Sequence, residues 1–266
     1  KYKRKLRTGN VGENVILVYL VVCFFVFLAG FVDSIAGGGG LISLPAYMIA
    51  GLPVHTAIAT NKMSSFMGTS VSSFYYMKKG FMKWRICIPA VFGAIAGSWM
   101  GSHLALLISE SVLKIAMLIV LPIILFYVLR NNALKGNEEN TTDVIDGMLI
   151  FKCAIIAVVI GVYDGIYGPG TGTFLMLLFT GFCHMTLNDA AGATKAINLT
   201  TNITALVVFL INGKVLLPLG IAAGVCNMAG NYLGSHSFTS NGHKIVKPVM
   251  IVVIVIFFIK VLTELI

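Results

Sequence analysis

Charge is what this chain has least of. Of its 266 residues only 11% are Asp, Glu, Lys or Arg, and 58% are hydrophobic, whereas a soluble domain carries about 25% charge. Acidic residues are scarcest, 10 against 19 basic ones. With a mean hydropathy of +0.92, a water-soluble fold is excluded and an all-α polytopic membrane protein is expected. The net charge of +9 is no nucleic-acid footprint, because the Lys and Arg side chains sit at the ends of apolar segments, where they anchor and orient spanning helices. Five cysteines (Cys23, Cys87, Cys153, Cys183 and Cys226) show no metal-knot spacing, so they read as small buried hydrophobes and imply no metal or cofactor. No G-x-x-x-x-G-K-S/T phosphate loop occurs, so any transport is expected to run on a gradient.

A spanning helix needs about 20 apolar residues. The candidates are 14–36, 54–79, 86–108, 112–130, 148–167, 189–211, 215–235 and 245–263. The basic start Lys1–Arg7 runs into Val15–Gly30 with no cleavage region after it, so this stretch is expected to be the first span and not a leader. Two apolar pieces, 41–50 and 173–182, are too short to cross alone. Each reads as the far half of a broken helix or one arm of a re-entrant hairpin.

Glycine marks where these pieces begin. Gly30-Phe-Val-Asp33-Ser-Ile-Ala-Gly37-Gly38-Gly39-Gly40 and Gly161-Val-Tyr-Asp164-Gly-Ile-Tyr-Gly168-Pro169-Gly170-Thr171-Gly172 share G-x-x-D-x-I-x-G-x-G, offset by 131 residues. Helix cannot run unbroken through either, and in a membrane such a break is tolerated only against protein or a wet cavity. From Thr60 the offset becomes 133 and needs no gap as far as Leu129. Lys62 then meets Lys195, Gly97 meets Gly230, and Gly101-Ser102-His103 meets Gly234-Ser235-His236. The chain reads as two four-helix repeats, about eight spans, with halves 1–130 and 148–266 joined by a polar linker, 131–147.

Positive charge suggests an orientation. If each half crosses four times, the basic N-terminus, Lys78, Lys79, Lys83, Arg85, Arg130 and Lys214 share the cytoplasmic side of the cell membrane, and the halves are related by an axis along the membrane normal. Counting 41–50 as a fifth crossing would give an inverted repeat instead, and would separate the basic tail from the Lys78–Arg85 loop. Gly93, Gly97 and Gly101, echoed by Gly230 and Gly234, suit close helix approach. Packing inside one chain is the favoured use, a homodimer face the other.

The pattern G-F-x-D-x-x-x-G-G-G-G-L-x-x-x-P from Gly30 to Pro45, followed by L-P-x-H-x-A-x-A-T-N-K from Leu52 to Lys62, resembles the TauE/SafE sulfite exporter family. So do the Gly80-Phe-Met-Lys-Trp-Arg loop and the Gly-Ser-His element. The resemblance covers the chain from about residue 15. It implies a duplicated four-helix unit that transports sulfur-containing anions such as sulfite, sulfonates and related organic acids. Pro169 and Thr171 replace glycines of the first break, so the two half-sites need not be equivalent.

Lys62 and Lys195 lie inside spans, where a charge costs a few kcal/mol unless it has a partner or a wet cavity. They are expected either to contact an anion or to pair with the carboxylate of their own half, Asp33 or Asp164. Asn61, Ser65, Thr194 and Asn198 supply polar lining beside them. The breaks add the N–H groups and positive ends of the following half-helices at Gly38, Gly39, Gly40, Gly170, Thr171 and Gly172. Asp33 and Asp164 are read as proton-coupling or structural groups. His103 and His236 read as helix-end packing rather than a proton relay. These residues suit a secondary carrier of small sulfur-bearing or carboxylate anions, with a passive anion channel as the alternative. An intramembrane aspartyl protease is disfavoured, because no Gly-x-Gly-Asp occurs and both aspartates recur as repeat equivalents, so no enzyme is expected.

Overall fold

A computed structural model describes residues 11–109, 111–113, 115 and 145–238, and among these there is no strand. In chain order the helices are α1 (Val11–Ala36), α2 (Gly40–Ile49), α3 (Val54–Lys78), α4 (Trp84–Leu107), α5 (Gly147–Ile166), α6 (Thr171–Gly181), α7 (Leu187–Ile211) and α8 (Leu217–Ser237). All but the first few residues of the span expected at 112–130, the whole of 245–263 and most of the linker lie outside the described residues.

The protein is inside-out by soluble standards. Large apolar side chains such as Phe24, Phe92, Phe151, Val159 and Val225 are exposed, while Thr60, Ser64, Ser72, Ser98, Asn227 and Asn231 are buried. Helices α1, α4, α5 and α7 are long and apolar enough to cross a membrane. Helices α3 and α8 have the length, 25 and 21 residues, but their Ser, Thr and Asn dilute the apolar signal. Several of those side chains turn inward and bond backbone carbonyls or neighbouring polar side chains.

Helix direction follows from the contacts. A Cβ added to Gly93, Gly97 or Gly101 of α4 would meet the carbonyl oxygens of Ala154, Val158 and Val162 of α5, so the two helices run parallel. Gly230 and Gly234 of α8 meet Phe27 and Phe31 of α1 in the same sense, and Gly220 and Gly224 meet Met63 and Met67 of α3. Helices α1, α3 and α8 therefore share one direction. Helix α7 opposes α3: Asn202 reaches Thr69, the Ser73 hydroxyl bonds the Lys195 carbonyl, and Gly192 meets Phe81.

These directions correct the orientation expected from charge. Helices α1 and α3 run the same way, so the start of α1 and the Lys78–Arg85 loop lie at opposite ends of the bundle. Lys214, which follows antiparallel α7, lies at the end away from that loop. The reason is α2. Its 10 residues span about 15 Å, too little to be counted as a crossing, yet they reverse the chain. Gly39 packs back against Ala29 and Asp33, and the Tyr47 hydroxyl donates to Ser64 at 2.9 Å. The glycine face of α4 is filled by α5 of the same chain, the intramolecular use of these glycines.

Candidate functional site

The site forms where the two glycine breaks cross. Gly37 and Gly168 end α1 and α5 with φ of +72° and +93°, a conformation that a side chain disfavours. At the crossing the backbones touch. A Cβ on Gly172 would come within 2.5 Å of the Gly37 Cα. The Thr173 N–H donates to the Gly37 carbonyl at 3.2 Å, and its hydroxyl to the Ala36 carbonyl at 3.0 Å. Gly40 lies against Pro169. Only residues without a Cβ allow this approach.

Helices α2 and α6 start at this crossing. Neither N-cap, Gly39 or Gly170, is closed by a side chain, and the Gly39, Gly40 and Gly172 N–H groups donate to no backbone carbonyl among the described residues. Unpaired donors and the positive end of a helix dipole therefore converge there.

Two ion pairs flank the crossing, and both join the two halves. Lys62 on α3 donates to Asp164 on α5 at 2.6 Å, with side chains 3% and 6% exposed. Lys195 on α7 donates to the Asp33 carboxylate on α1 at 2.8 Å and also to the Asp33 carbonyl. Structural pairing is thus observed for both lysines, but it corrects the expected partner: each bonds the aspartate of the other half. Parallel packing of α4 on α5 and of α8 on α1 carries each broken helix across to the opposite repeat.

Between the pairs lies a small cavity. It gives the centres of water molecules about 30 Å³, where one water needs about 10–15 Å³. Of the residues anticipated from sequence, Asp33, Gly39, Gly40, Asn61, Lys62, Ser65, Asp164, Thr171, Gly172 and Asn198 line it. Lys195, Thr194, Gly38 and Gly170 do not, although Lys195 holds a lining residue. Thr194 is buried with its hydroxyl unpartnered.

Asn61 and Asn198 are 8% and 5% exposed, and the Oδ1 of each lacks a hydrogen-bond partner among the described residues. Buried polar groups are nearly always paired in folded proteins, so two carboxamide oxygens stand out at this cavity as acceptors without a donor.

Ser43 and Asn227 line the cavity and were missed in the sequence. Asn227 bonds the Val26 carbonyl at 3.3 Å and accepts from Asn231 at 2.7 Å, beside Gly30 and Gly68. Its signal was a pair of amides one turn apart, Asn227 and Asn231, in a helix of spanning length, where an unpaired polar group is costly. The matched histidines stay out of the site. His103 and His236 each bond the carbonyl one turn back, Trp99 and Tyr232, at 2.8 Å, and pack on those rings.

The model of the sulfite exporter TauE/SafE family matches residues 22–261. Among curated proteins, the chain is similar to a "Probable membrane transporter protein ORF9" of Sinorhizobium sp, 34% identical over 249 residues that cover 92% of this chain and 94% of the relative. It is likewise 34% identical over 251 residues to "Probable membrane transporter protein YfcA" of Escherichia coli K12, covering 93% and 91% of the two chains. A "Probable membrane transporter protein" of Haemophilus influenzae is 30% identical over 234 residues, covering 88% and 90%. No solved structure gives a significant match.

Proposed function

Because this chain belongs to the sulfite exporter TauE/SafE family of membrane transporters, we propose that it is a gradient-driven carrier of small sulfur-containing anions in the cell membrane. The reading assigns sulfite, a sulfonate or a related small oxyanion to the cavity where the breaks cross. The observation that carries it is the donor set. Lys62, the side-chain N–H groups of Asn61 and Asn198, and the uncapped starts of α2 and α6 all border one small buried space. Cation, amide N–H and helix N-terminus are the groups that replace water around an oxyanion.

The two halves act as repeats related by an axis in the membrane plane. Helices α3 and α7 are each 25 residues long, start 133 positions apart and pack antiparallel. That symmetry suits alternating access around a central site. The ion pairs then serve as clasps between the halves, with the breaks as hinges.

The test is thermal stabilisation of purified protein by sulfite, thiosulfate, sulfate, taurine, sulfoacetate and oxalate, beside Asn61→Leu and Asn198→Leu. A selective shift with one anion class, reduced in both variants, is expected. No shift with any of these anions, or equal shifts in wild type and variants, would refute the assignment. Flux into proteoliposomes separates carrier from channel: saturating, slow exchange is expected, and ohmic current would favour the channel.

A further inference from the structure

The two interhalf ion pairs look like repeat copies of one device, but they are chemically unequal. Asp164 has both oxygens engaged. Oδ2 accepts from Lys62 at 2.6 Å and Oδ1 from the Thr171 hydroxyl at 2.7 Å. The repeat position of Thr171 in the first break is Gly40, which has no hydroxyl to offer. Among the described residues the Asp33 carboxylate accordingly accepts only from Lys195, through Oδ2, and the Asp33 side chain is 18% exposed against 6% for Asp164.

The lysines differ as well. Lys62 has one hydrogen-bond acceptor among the described residues, Asp164. Lys195 has two from the same residue, the Asp33 carboxylate and the Asp33 carbonyl in the last turn of α1. Neutralising Asp164 would strand a buried ammonium and leave the Thr171 hydroxyl without its carboxylate acceptor. Neutralising Asp33 leaves Lys195 on a helix C-terminal carbonyl, a stable position for a cation.

On the reading of the cavity as an anion site, we infer that Asp33 is the carboxylate that takes up a proton when the anion binds, while Asp164 stays ionised as a structural clasp. With both aspartates ionised, the two pairs sum to zero charge. A proton on the Asp33 carboxylate, which faces the cavity, leaves one uncompensated positive charge at Lys195. That charge favours an anion in the neighbouring cavity, and the anion in turn favours the protonated state. One proton then accompanies one negative charge.

The titratable groups around Asp33 come from several helices. Helix α7 brings Lys195. Helix α3 brings Lys62 across the cavity and Tyr76, whose hydroxyl bonds the adjacent Ser34 carbonyl at 2.6 Å. Helix α5 brings Asp164. Helix α8 carries His236, two residues beyond the Gly234 that meets Ser34, with its ring on Tyr75. Helix α2 contributes Tyr47, bonded to Ser64, and α6 has no titratable side chain.

Two measurements test the inference. In weakly buffered detergent solution, thiosulfate is added and proton uptake recorded. Wild type is expected to take up about one proton per bound anion, and Asp33→Asn to bind with no proton uptake. Uptake unchanged in Asp33→Asn would overturn the proposal. The second measurement uses no anion, so it stands even if thiosulfate does not bind and the anion reading fails. Melting of the anion-free protein compares the two neutralised aspartates. Asp33→Asn is expected to melt near wild type, because Lys195 keeps the Asp33 carbonyl, and Asp164→Asn well below it, because Lys62 is left without an acceptor among the described residues. Equal losses in both variants, or a larger loss in Asp33→Asn, would overturn the assignment.

Discussion

Lys62 of the first half is bonded at 2.6 Å to Asp164 of the second, and not to Asp33 of its own. The reciprocal bond, Lys195 to Asp33, closes the exchange. The halves of this transporter are thus joined by two crossed ion pairs.

Removing one member of a buried pair strands the other. Lys62→Ala is expected to cost about 3–5 kcal/mol, as for other broken buried pairs, seen as a large drop in melting temperature by fluorescence-detected gel filtration. The double variant Lys62→Ala with Asp164→Ala should recover part of that loss, and Lys62→Ala with Asp33→Ala should not. Recovery with Asp33 instead would reassign the pairs.

Cavity amides should behave in the opposite way. The Asn61 and Asn198 Oδ1 atoms have no partner to lose, so Asn61→Leu and Asn198→Leu should leave the melting temperature unchanged or raise it. Anion affinity should fall roughly tenfold, the worth of a hydrogen bond of about 1–1.5 kcal/mol. Isothermal titration beside thermal melts checks both signs.

Helix direction can be read from outside the membrane. Lys79→Cys follows α3 and Lys214→Cys follows antiparallel α7, and both positions are exposed. In a background lacking native cysteines, a membrane-impermeant maleimide applied to intact cells should label one and not the other. Equal labelling of both from one side would restore the axis along the membrane normal.

The glycine stripe makes a steric prediction. At Gly97 an added Cβ would overlap the Val158 carbonyl, whereas at Gly147 it would meet nothing within 4 Å. Gly97→Ala should sharply lower the yield of folded protein, and Gly147→Ala should not, as measured by monodisperse recovery in detergent.

Much of the site was legible because it is local. Two glycine breaks, each four residues after an aspartate and about 25 residues before an intramembrane lysine, are patterns in the chain itself. Ser43 and Asn227 were not legible as lining, because nothing nearby in sequence links them to the breaks; α8 brings Asn227 in through its packing on α1 and α3.

By itself the sequence determined that the chain is helical, membrane-bound, broken at Gly37–Gly40 and Gly168–Gly172, and supplied with two cations and two anions inside the membrane. Composition and glycine content dictate these things wherever the helices end up. Which lysine meets which aspartate, and which way α3 and α7 run, emerges only from helix packing. Both depend on α2, whose 10 residues are too few to register as a crossing but enough to turn the chain around.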